Sequence, residues 1–97
     1  MENKVYGYVY LITNKINGKQ YVGQTIKTIK KRFSVHKAPN NPSYLNRAIK
    51  KYKKENFIIQ ELAIAYDQKE LNFLEGLYMC WFNTLAPNGY NIKEIID

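Results

Sequence analysis

Two tyrosine triplets on either side of an Asn-Gly pair constrain the fold of this chain more than any other feature. The triplets are YVY at residues 8–10 and YVG at residues 21–23, and each lies in a segment rich in strand-forming residues. Asn17 and Gly18 lie between the two segments, and such a pair is the strongest short-range signal for a β-hairpin. The pattern predicts a hairpin that brings Tyr10 and Tyr21 together on one small sheet.

The composition predicts a single domain with a polyanionic partner. A chain of 97 residues is large enough for one modest core. Its net charge of +7 favours binding to a polyanion. No apolar stretch approaches the ~18 residues of a membrane span, and the N-terminus lacks a signal-peptide pattern, so we expect a cytoplasmic protein without a membrane partner. The one cysteine, Cys80, excludes an internal disulfide, and its apolar neighbours predict that it is buried.

Three segments have the pattern of strands. The first covers residues 4–14, the return strand of the hairpin covers 20–24, and a third covers 56–65. In the first strand, the period of two places Tyr8, Tyr10 and Ile12 on one face and Val9 and Leu11 on the other. We therefore expect a small three-stranded, mainly antiparallel sheet.

Capping residues and hydrophobic periodicity predict three helices, over about residues 28–37, 43–54 and 68–83. Two prolines at positions 39 and 42 should end the first helix. The element order is then β-β-α-α-β-α, an α+β domain (an α/β sandwich) over residues 1–97. The expected caps are Thr28, Ser43 and Asp67. The core stripe of the third helix is expected to contain Leu71, Leu74, Tyr78 and Trp81.

The positive charge is concentrated in one part of the chain. Ten lysines and arginines, and no acidic residue, lie between residues 27 and 54. Like charges at helical spacing cost stability, so a bound anion is the simplest explanation. Nucleic-acid phosphates are the commonest such anion, and binding to them weakens steeply with salt. The residues that we assign to DNA binding are Lys27, Lys30, Lys31, Lys37, Arg47 and Lys50.

Arg32 and His36 are the first candidates for chemistry. They are four residues apart on the first helix and so share a face. Arginine can hold a phosphate oxygen and stabilise charge that grows in a transition state. Histidine can carry a proton or donate a hydrogen bond to phosphate. A lone helical histidine is, however, more often a surface residue, and that alternative stays open.

Glu75 is the second unusual feature because it lies on the apolar stripe of the third helix. A carboxylate there is costly unless it is paired or binds a cation. Mg²⁺ held by one carboxylate, a substrate phosphate and waters would satisfy it, and so would a salt bridge to a lysine.

The two hairpin tyrosines and one C-terminal amide complete the candidate site. Tyr10 and Tyr21 can position a water or, once deprotonated, take its proton. The second role needs nearby positive charge, because the pKa of a phenol is near 10. Packing at the edge of the core is the alternative for most tyrosines. Asn91 offers an amide that can orient Glu75 or a phosphate.

Taken together, these motifs resemble the GIY-YIG nuclease family. The triplets at residues 8–10 and 21–23 are similar to the two that name the family. Arg32 with His36 resembles its arginine helix, and Glu75 with Asn91 in a Gly-Tyr-Asn context resembles its metal-binding glutamate and C-terminal asparagine. The resemblance covers essentially the whole chain and is strongest to phage and group I intron homing endonucleases. Tyr8 replaces the glycine of the first triplet, valine replaces isoleucine in both, and Lys31 is a rival to Arg32.

The resemblance implies a metal-dependent DNA endonuclease that hydrolyses phosphodiester bonds with one divalent ion, Mg²⁺ or alternatively Mn²⁺. Glu75 would bind the ion, Arg32 would stabilise the pentavalent phosphate, and one of the two tyrosines would act on the attacking water. The catalytic residues implied are Tyr10, Tyr21, Arg32, His36, Glu75 and Asn91.

Three further expectations concern the setting of this module. A nucleic-acid-binding module that does not cleave is the alternative in a different class, and a repair-type or restriction-type GIY-YIG nuclease is the alternative within the family. Homing enzymes of this type continue into a separate DNA-binding domain, so we expect either a catalytic module from which a C-terminal DNA-binding domain is missing or a minimal stand-alone protein. We expect a monomer or a transient dimer, and a prokaryotic, phage or viral source.

Overall fold

The computed structural model describes residues 4–38 and 43–92. Their order confirms the predicted sequence of strands and helices, with one added 3-10 turn before the last strand. The elements are β1 (Gly7–Asn14), β2 (Gln20–Thr25), α1 (Ile29–Lys37), α2 (Tyr44–Tyr52), the 3-10 turn (Lys54–Asn56), β3 (Phe57–Ala65) and α3 (Gln68–Phe82).

The sheet is antiparallel throughout, with strand order β2-β1-β3. The predicted hairpin is confirmed: Gly18 takes a positive φ of 78° in the turn, and Tyr10 lies opposite Gly23 while Ile12 lies opposite Tyr21. Tyr10 and Tyr21 are therefore diagonal neighbours on one face of the sheet. The first strand begins at residue 7 rather than at residue 4.

The three predicted helix caps are present. The side chains of Thr28, Ser43 and Asp67 accept hydrogen bonds from the backbone N–H three residues later, at 3.1, 3.0 and 2.7 Å. Each bond satisfies a backbone donor that has no partner within the first turn of a helix. The starts of all three helices thus follow from local sequence.

The helix ends differ more from prediction. The second helix stops at Tyr52, two residues early, because Lys53 adopts a left-handed conformation with φ of 74°. The third helix ends at Phe82, with Asn83 as a left-handed C-cap. The two prolines expected to end the first helix lie outside the described residues.

Both faces of the sheet are covered, which gives the molecule two small cores. On one face, Tyr10 and Ile12 pack with Leu45 and Ile49 of α2 and with Tyr90 from the C-terminal tail. On the other, the buried side chains are Val9, Leu11, Val22, Ala65 and, from α3, Leu71. The predicted sandwich is therefore confirmed, and the alternation along β1 divides its side chains between the two cores.

The outer face of α3 corrects two predictions. Trp81 is 78% exposed rather than part of the core stripe, and Cys80 is exposed rather than buried. At 100° per residue, Phe82 lies about 20° from Leu71 around the helix axis and Trp81 about 80° away, so Phe82 takes the inner position. Within the described residues, no helix is long and apolar enough to cross a bilayer.

Candidate active site

A cavity of about 550 Å³ lies where the hairpin, the helices and the C-terminal tail meet. β2, α1, α2, α3 and the tail all contribute side chains to its wall. Four of the predicted catalytic residues line it, although they are far apart in the sequence: Tyr21, His36, Glu75 and Asn91.

Tyr10, Tyr21 and His36 form a buried cluster beside this cavity. The Tyr10 hydroxyl and His36 Nε2 are 2.8 Å apart. The rings of Tyr21 and His36 meet edge to face, with centroids 5.1 Å apart, and those of Tyr10 and Tyr21 are 6.3 Å apart. His36 is only 4% exposed, so the alternative of a surface histidine is wrong.

Gly23 makes this arrangement sterically possible. A side-chain carbon at this position would overlap the hydroxyl and ring of Tyr10 and would lie 2.8 Å from Cε1 of Tyr21. Contacts that short do not occur in relaxed structures. The glycine that ends the second triplet therefore leaves the space that Tyr10 fills.

Burial determines the resting protonation of the cluster. Desolvation raises the pKa of Tyr10 and of Tyr21, and it lowers the pKa of His36 to about 4. The positive charge of Arg32 acts against the rise for the tyrosines and adds to the fall for His36. At neutral pH both phenols are protonated and the imidazole is neutral.

Arg32, rather than Lys31, faces the cluster. Arg32 is half-buried and its positive charge lowers the pKa of Tyr10, whereas Lys31 is exposed. One residue along a helix turns a side chain by about 100°, so only one of the two can point inward. Among the described residues, the buried Nε of Arg32 has no hydrogen-bond acceptor. The guanidinium thus keeps donor capacity for an anion.

Glu75 is half-buried and is held in place from β2. Gln24 Nε2 donates to Glu75 Oε1 at 3.0 Å, and Gln68 Nε2 in turn donates to Gln24 Oε1 at 2.9 Å. The carboxylate is close enough to the tyrosine cluster that its negative charge raises the pKa of both Tyr10 and Tyr21. The predicted position of Glu75 on the inner side of α3 is consistent with its place in the cavity wall.

Asn91 has a different partner from the expected ones. Its Oδ1 accepts from the backbone N–H of Val22 at 2.8 Å, and its Nδ2 donates to the Val22 carbonyl, also at 2.8 Å. Both bonds are buried. Asn91 therefore fastens the C-terminal tail to β2 and positions the strand that carries Tyr21. A role of its amide toward Glu75 or a phosphate stays a prediction.

Two site residues were missed by the sequence analysis. Gln24 directly follows the second triplet and orients Glu75. Asn46 is fully buried, and its Nδ2 donates to the carbonyls of His36 and Ala38, so it fixes the end of the helix that carries His36. The sequence did contain a signal for this role, because Asn46 is a polar residue between Leu45 and Ala48 on the apolar face of α2.

The predicted DNA-binding residues are all exposed. Lys27 and Lys31, with Arg32, line a second cavity of about 490 Å³. Arg47 lines a third of about 350 Å³. The Lys37 ammonium lies 4.8 Å from the centre of the Phe33 ring, which is a cation–π contact. Their role in binding DNA stays a prediction.

The solved structures that resemble this chain include two of the same catalytic domain. The catalytic domain of the homing endonuclease I-TevI matches with a TM-score of 0.75 and 28% identity, over 91% of this chain and 99% of that one. A glutamate-to-alanine variant of the catalytic domain of the intron endonuclease I-TevI matches with a TM-score of 0.76 and 26% identity, over 93% and 96%.

Two curated relatives come from Invertebrate iridescent virus 6. Uncharacterized protein 019R is 53% identical over 32 residues, which is 33% of this chain and 12% of that protein. Putative MSV199 domain-containing protein 146R is 37% identical over 59 residues, which is 58% of this chain and 24% of that protein. The chain thus spans a quarter or less of the curated relatives that it matches.

The family comparison covers most of the chain. The model of the GIY-YIG catalytic domain matches residues 6–91, from the residue before β1 to the asparagine of the tail. The matched segment contains both tyrosine triplets, Arg32 and Glu75. By this match, which confirms the resemblance in the sequence, the protein belongs to the GIY-YIG nuclease family.

Proposed function

We propose that this chain is the catalytic module of a DNA endonuclease of the homing type, and that it hydrolyses phosphodiester bonds with one divalent ion. The observation that carries the proposal is the convergence of Tyr21, His36 and Glu75 on one cavity, with Tyr10 and Arg32 directly behind it. Family membership and the likeness to the I-TevI catalytic domain support the reaction class.

The donor set fits a single Mg²⁺ ion that is shared with the substrate. Glu75 supplies a carboxylate in the cavity wall, and Mg²⁺ prefers one or two carboxylates completed by substrate phosphates and waters. Over residues 4–38 and 43–92, no group of three or more His, Cys, Asp or Glu side chains could form an all-protein metal site. When bound at Glu75, the ion would offset charge on the scissile phosphate and on the leaving 3′ oxygen.

The Tyr10–His36 contact offers a path for the proton of the attacking water. The Tyr10 hydroxyl and His36 Nε2 are 2.8 Å apart, and the imidazole tautomer with its proton on Nδ1 would accept from Tyr10. Tyr21 lines the cavity and packs against both Tyr10 and His36. The Tyr21 oxygen would then take a proton from water while passing its own to Tyr10, and Tyr10 would pass its own to His36, so neither tyrosine needs to rest as a phenolate.

Arg32 has a second task beyond its effect on the pKa of Tyr10. Its buried Nε lacks an acceptor among the described residues, and guanidinium groups match phosphate oxygens well. A scissile phosphate that also reaches the neighbouring cavity, which Arg32 lines with Lys27 and Lys31, would give the guanidinium a partner. Arg32 would then stabilise the charge that grows on the equatorial oxygens as the water attacks.

The test is plasmid nicking by the parent protein and by Glu75→Gln, each with Mg²⁺ and with EDTA. Glu75→Gln keeps the size of the side chain and an oxygen that accepts from Gln24, but it removes the charge that holds the ion. We expect nicking to fall at least about a hundredfold, because a metal ion supplies several kcal/mol of transition-state stabilisation. Glu55→Gln, on the exposed 3-10 turn, is the matched control and should nick like the parent.

Two results would contradict the proposal. Metal-dependent nicking that survives in Glu75→Gln would refute the role of Glu75. Tight DNA binding by the parent without any nicking, with Mg²⁺ and with Mn²⁺, would favour the module that binds without cleaving.

A further inference from the structure

A groove of about 350 Å³ lies between the hairpin turn and α2, outside the candidate active site. Three basic side chains line it: Lys19 from the hairpin loop directly before β2, and Arg47 and Lys51 from α2. Two half-buried tyrosines, Tyr44 and Tyr52, form part of the same wall. The described residues that line the groove include no carboxylate.

Charge repulsion acts against the positions of these cations, although the Lys51 ammonium also makes a cation–π contact with the Tyr52 ring, whose centre is 5.2 Å away. Arg47 and Lys51 are four residues apart on α2, so their charges lie on one face, where like charges repel. Lys19 comes from a different element and adds a third positive charge to the same groove. Three cations without a carboxylate around one concave surface suit a ligand with several negative charges.

The floor of the groove is rigid. It is formed in part by Ala48 and Tyr90, which are 6% and 3% exposed. The Tyr90 hydroxyl accepts hydrogen bonds from Asn14 Nδ2 at 2.9 Å and from Asn17 Nδ2 at 3.3 Å. The hairpin turn and the C-terminal tail are thereby joined under the groove, so that its shape exists before any ligand binds.

The groove continues into the candidate active site. Tyr44 and Tyr90 line both the groove and the central cavity, and their rings meet edge to face with centroids 5.4 Å apart. A strand whose phosphate lies near Glu75 can pass Tyr44 and enter the groove. The cavity that contains Lys27 and Lys31 is built from β2, α1 and the start of α3 instead.

We propose that the groove binds the phosphate backbone of duplex DNA on one side of the scissile phosphate. Arg47, Lys51 and Lys19 hold backbone phosphates, and the wall at Tyr44 and Tyr52 contacts the adjoining sugars. The proposal rests on the proposed function, since it takes the substrate to be DNA. It adds Lys19 and Lys51 to the DNA-binding residues and gives Arg47 a defined place.

Salt-dependent binding tests the proposal directly. All proteins carry Glu75→Gln and are kept in EDTA, so that no DNA is cut. Binding of a fluorescein-labelled duplex of arbitrary sequence is measured by anisotropy over a range of salt concentrations. A plot of log affinity against log salt concentration falls with a slope whose magnitude decreases by about 0.9 for each phosphate contact that is lost. Arg47→Gln with Lys51→Gln should therefore decrease this magnitude by about 1.8.

A matched control removes the same charge elsewhere. Lys54→Gln with Lys69→Gln also lowers the net charge by two, but both side chains are exposed and lie outside the groove. For this control double variant, the slope of log affinity against log salt concentration should equal that of the protein with Glu75→Gln alone. An equal fall in both double variants would mean that only net charge matters, and no fall in either would mean that the groove does not contact DNA. Either result overturns the proposal.

Lys19→Gln tests whether DNA contacts the whole groove, including the hairpin, or only the basic face of α2. Because Lys19 lies on the hairpin, its loss should decrease the magnitude of the slope by a further ~0.9 if the groove binds the backbone. An unchanged slope would overturn the groove even if the α2 pair matters. Competition by polyglutamate as strong as by unlabelled duplex would assign the groove to an acidic protein and would also overturn the proposal.

The active-site and groove proposals fail in different ways. With Glu75 intact and Mg²⁺ present, Arg47→Gln with Lys51→Gln should need at least severalfold more DNA than the parent to reach half of its maximal nicking rate. Absence of nicking by the parent would refute the proposed function, while the binding slopes would still decide the groove.

Discussion

Replacing Asn91 measures how much the C-terminal tail contributes to the site. Among residues 4–38 and 43–92, β2 is an edge strand, and no strand there pairs with the outward N–H and C=O groups of Val22. Asn91 takes the place of one, with two buried hydrogen bonds of 2.8 Å. Asn91→Ala would leave both backbone groups of a fully buried residue without their partner.

The expected cost follows from the two groups that are left. An unsatisfied buried donor or acceptor costs about 1–3 kcal/mol, so Asn91→Ala should lower the free energy of unfolding by about 2–6 kcal/mol. That is a large part of the 5–15 kcal/mol typical of a folded domain. We expect nicking to fall as well, because the strand that carries Tyr21 loses its support.

Asn91→Asp adds a pH dependence whose sign is fixed by the geometry. One carboxylate oxygen can accept from the Val22 N–H, but the other would face the Val22 carbonyl, where Asn91 now donates. This repulsion and burial raise the pKa of the introduced carboxyl in the folded state. A raised folded pKa means stability that is full at low pH and lost as the pH rises through that pKa.

Urea unfolding of the parent and both variants, at pH 7 and at pH 4, checks these values. The deficit of Asn91→Asp relative to the parent should be smaller at pH 4. A cost below about 0.5 kcal/mol for Asn91→Ala, combined with lost nicking, would refute the reasoning, because it is the size expected of a surface substitution. Asn91 would then act on substrate or metal.

Two further predictions concern the buried cluster. Tyr10→Phe removes the hydroxyl that contacts His36, so the rate of single-turnover nicking should fall by about a hundredfold or more. The affinity for duplex DNA should stay within about twofold of the parent value. An unchanged nicking rate would exclude the relay. The pKa of His36 is lowered from 6.5 to about 4 in the folded protein, so the unfolded chain takes up this proton first as the pH falls. The free energy of unfolding should therefore decrease between about pH 6.5 and about pH 4, by at most about 3 kcal/mol. Urea midpoints should show this loss in the parent and not in His36→Gln.

The parts of the fold that depend on neighbours in sequence were predictable. Thr28, Ser43 and Asp67 cap their helices through backbone groups three residues away, so the three starts follow from short motifs. The Asn-Gly turn likewise determines the pairing of β1 with β2, and with it the approach of Tyr10 to Tyr21.

The sequence did not indicate features of the structure that depend on a small angle or on a distant partner. Trp81 and Phe82 are both apolar and adjacent, and a rotation of about 100° determines which one packs inward. His36 is buried because Tyr10, 26 residues earlier, provides its partner. Asn91 bonds a backbone 69 residues away, and no side-chain pattern in the sequence identifies a backbone partner.

The scatter of the site along the chain has a consequence during protein synthesis. The hairpin and both basic helices precede Glu75 and the tail, and a ribosome makes them first, at about 5–20 residues per second. A nascent chain thus acquires its positive charge before the carboxylate proposed to hold the metal, and before the tail that braces β2. A product that stops short of α3 would lack both Glu75 and the tail, so it could not assemble the candidate active site.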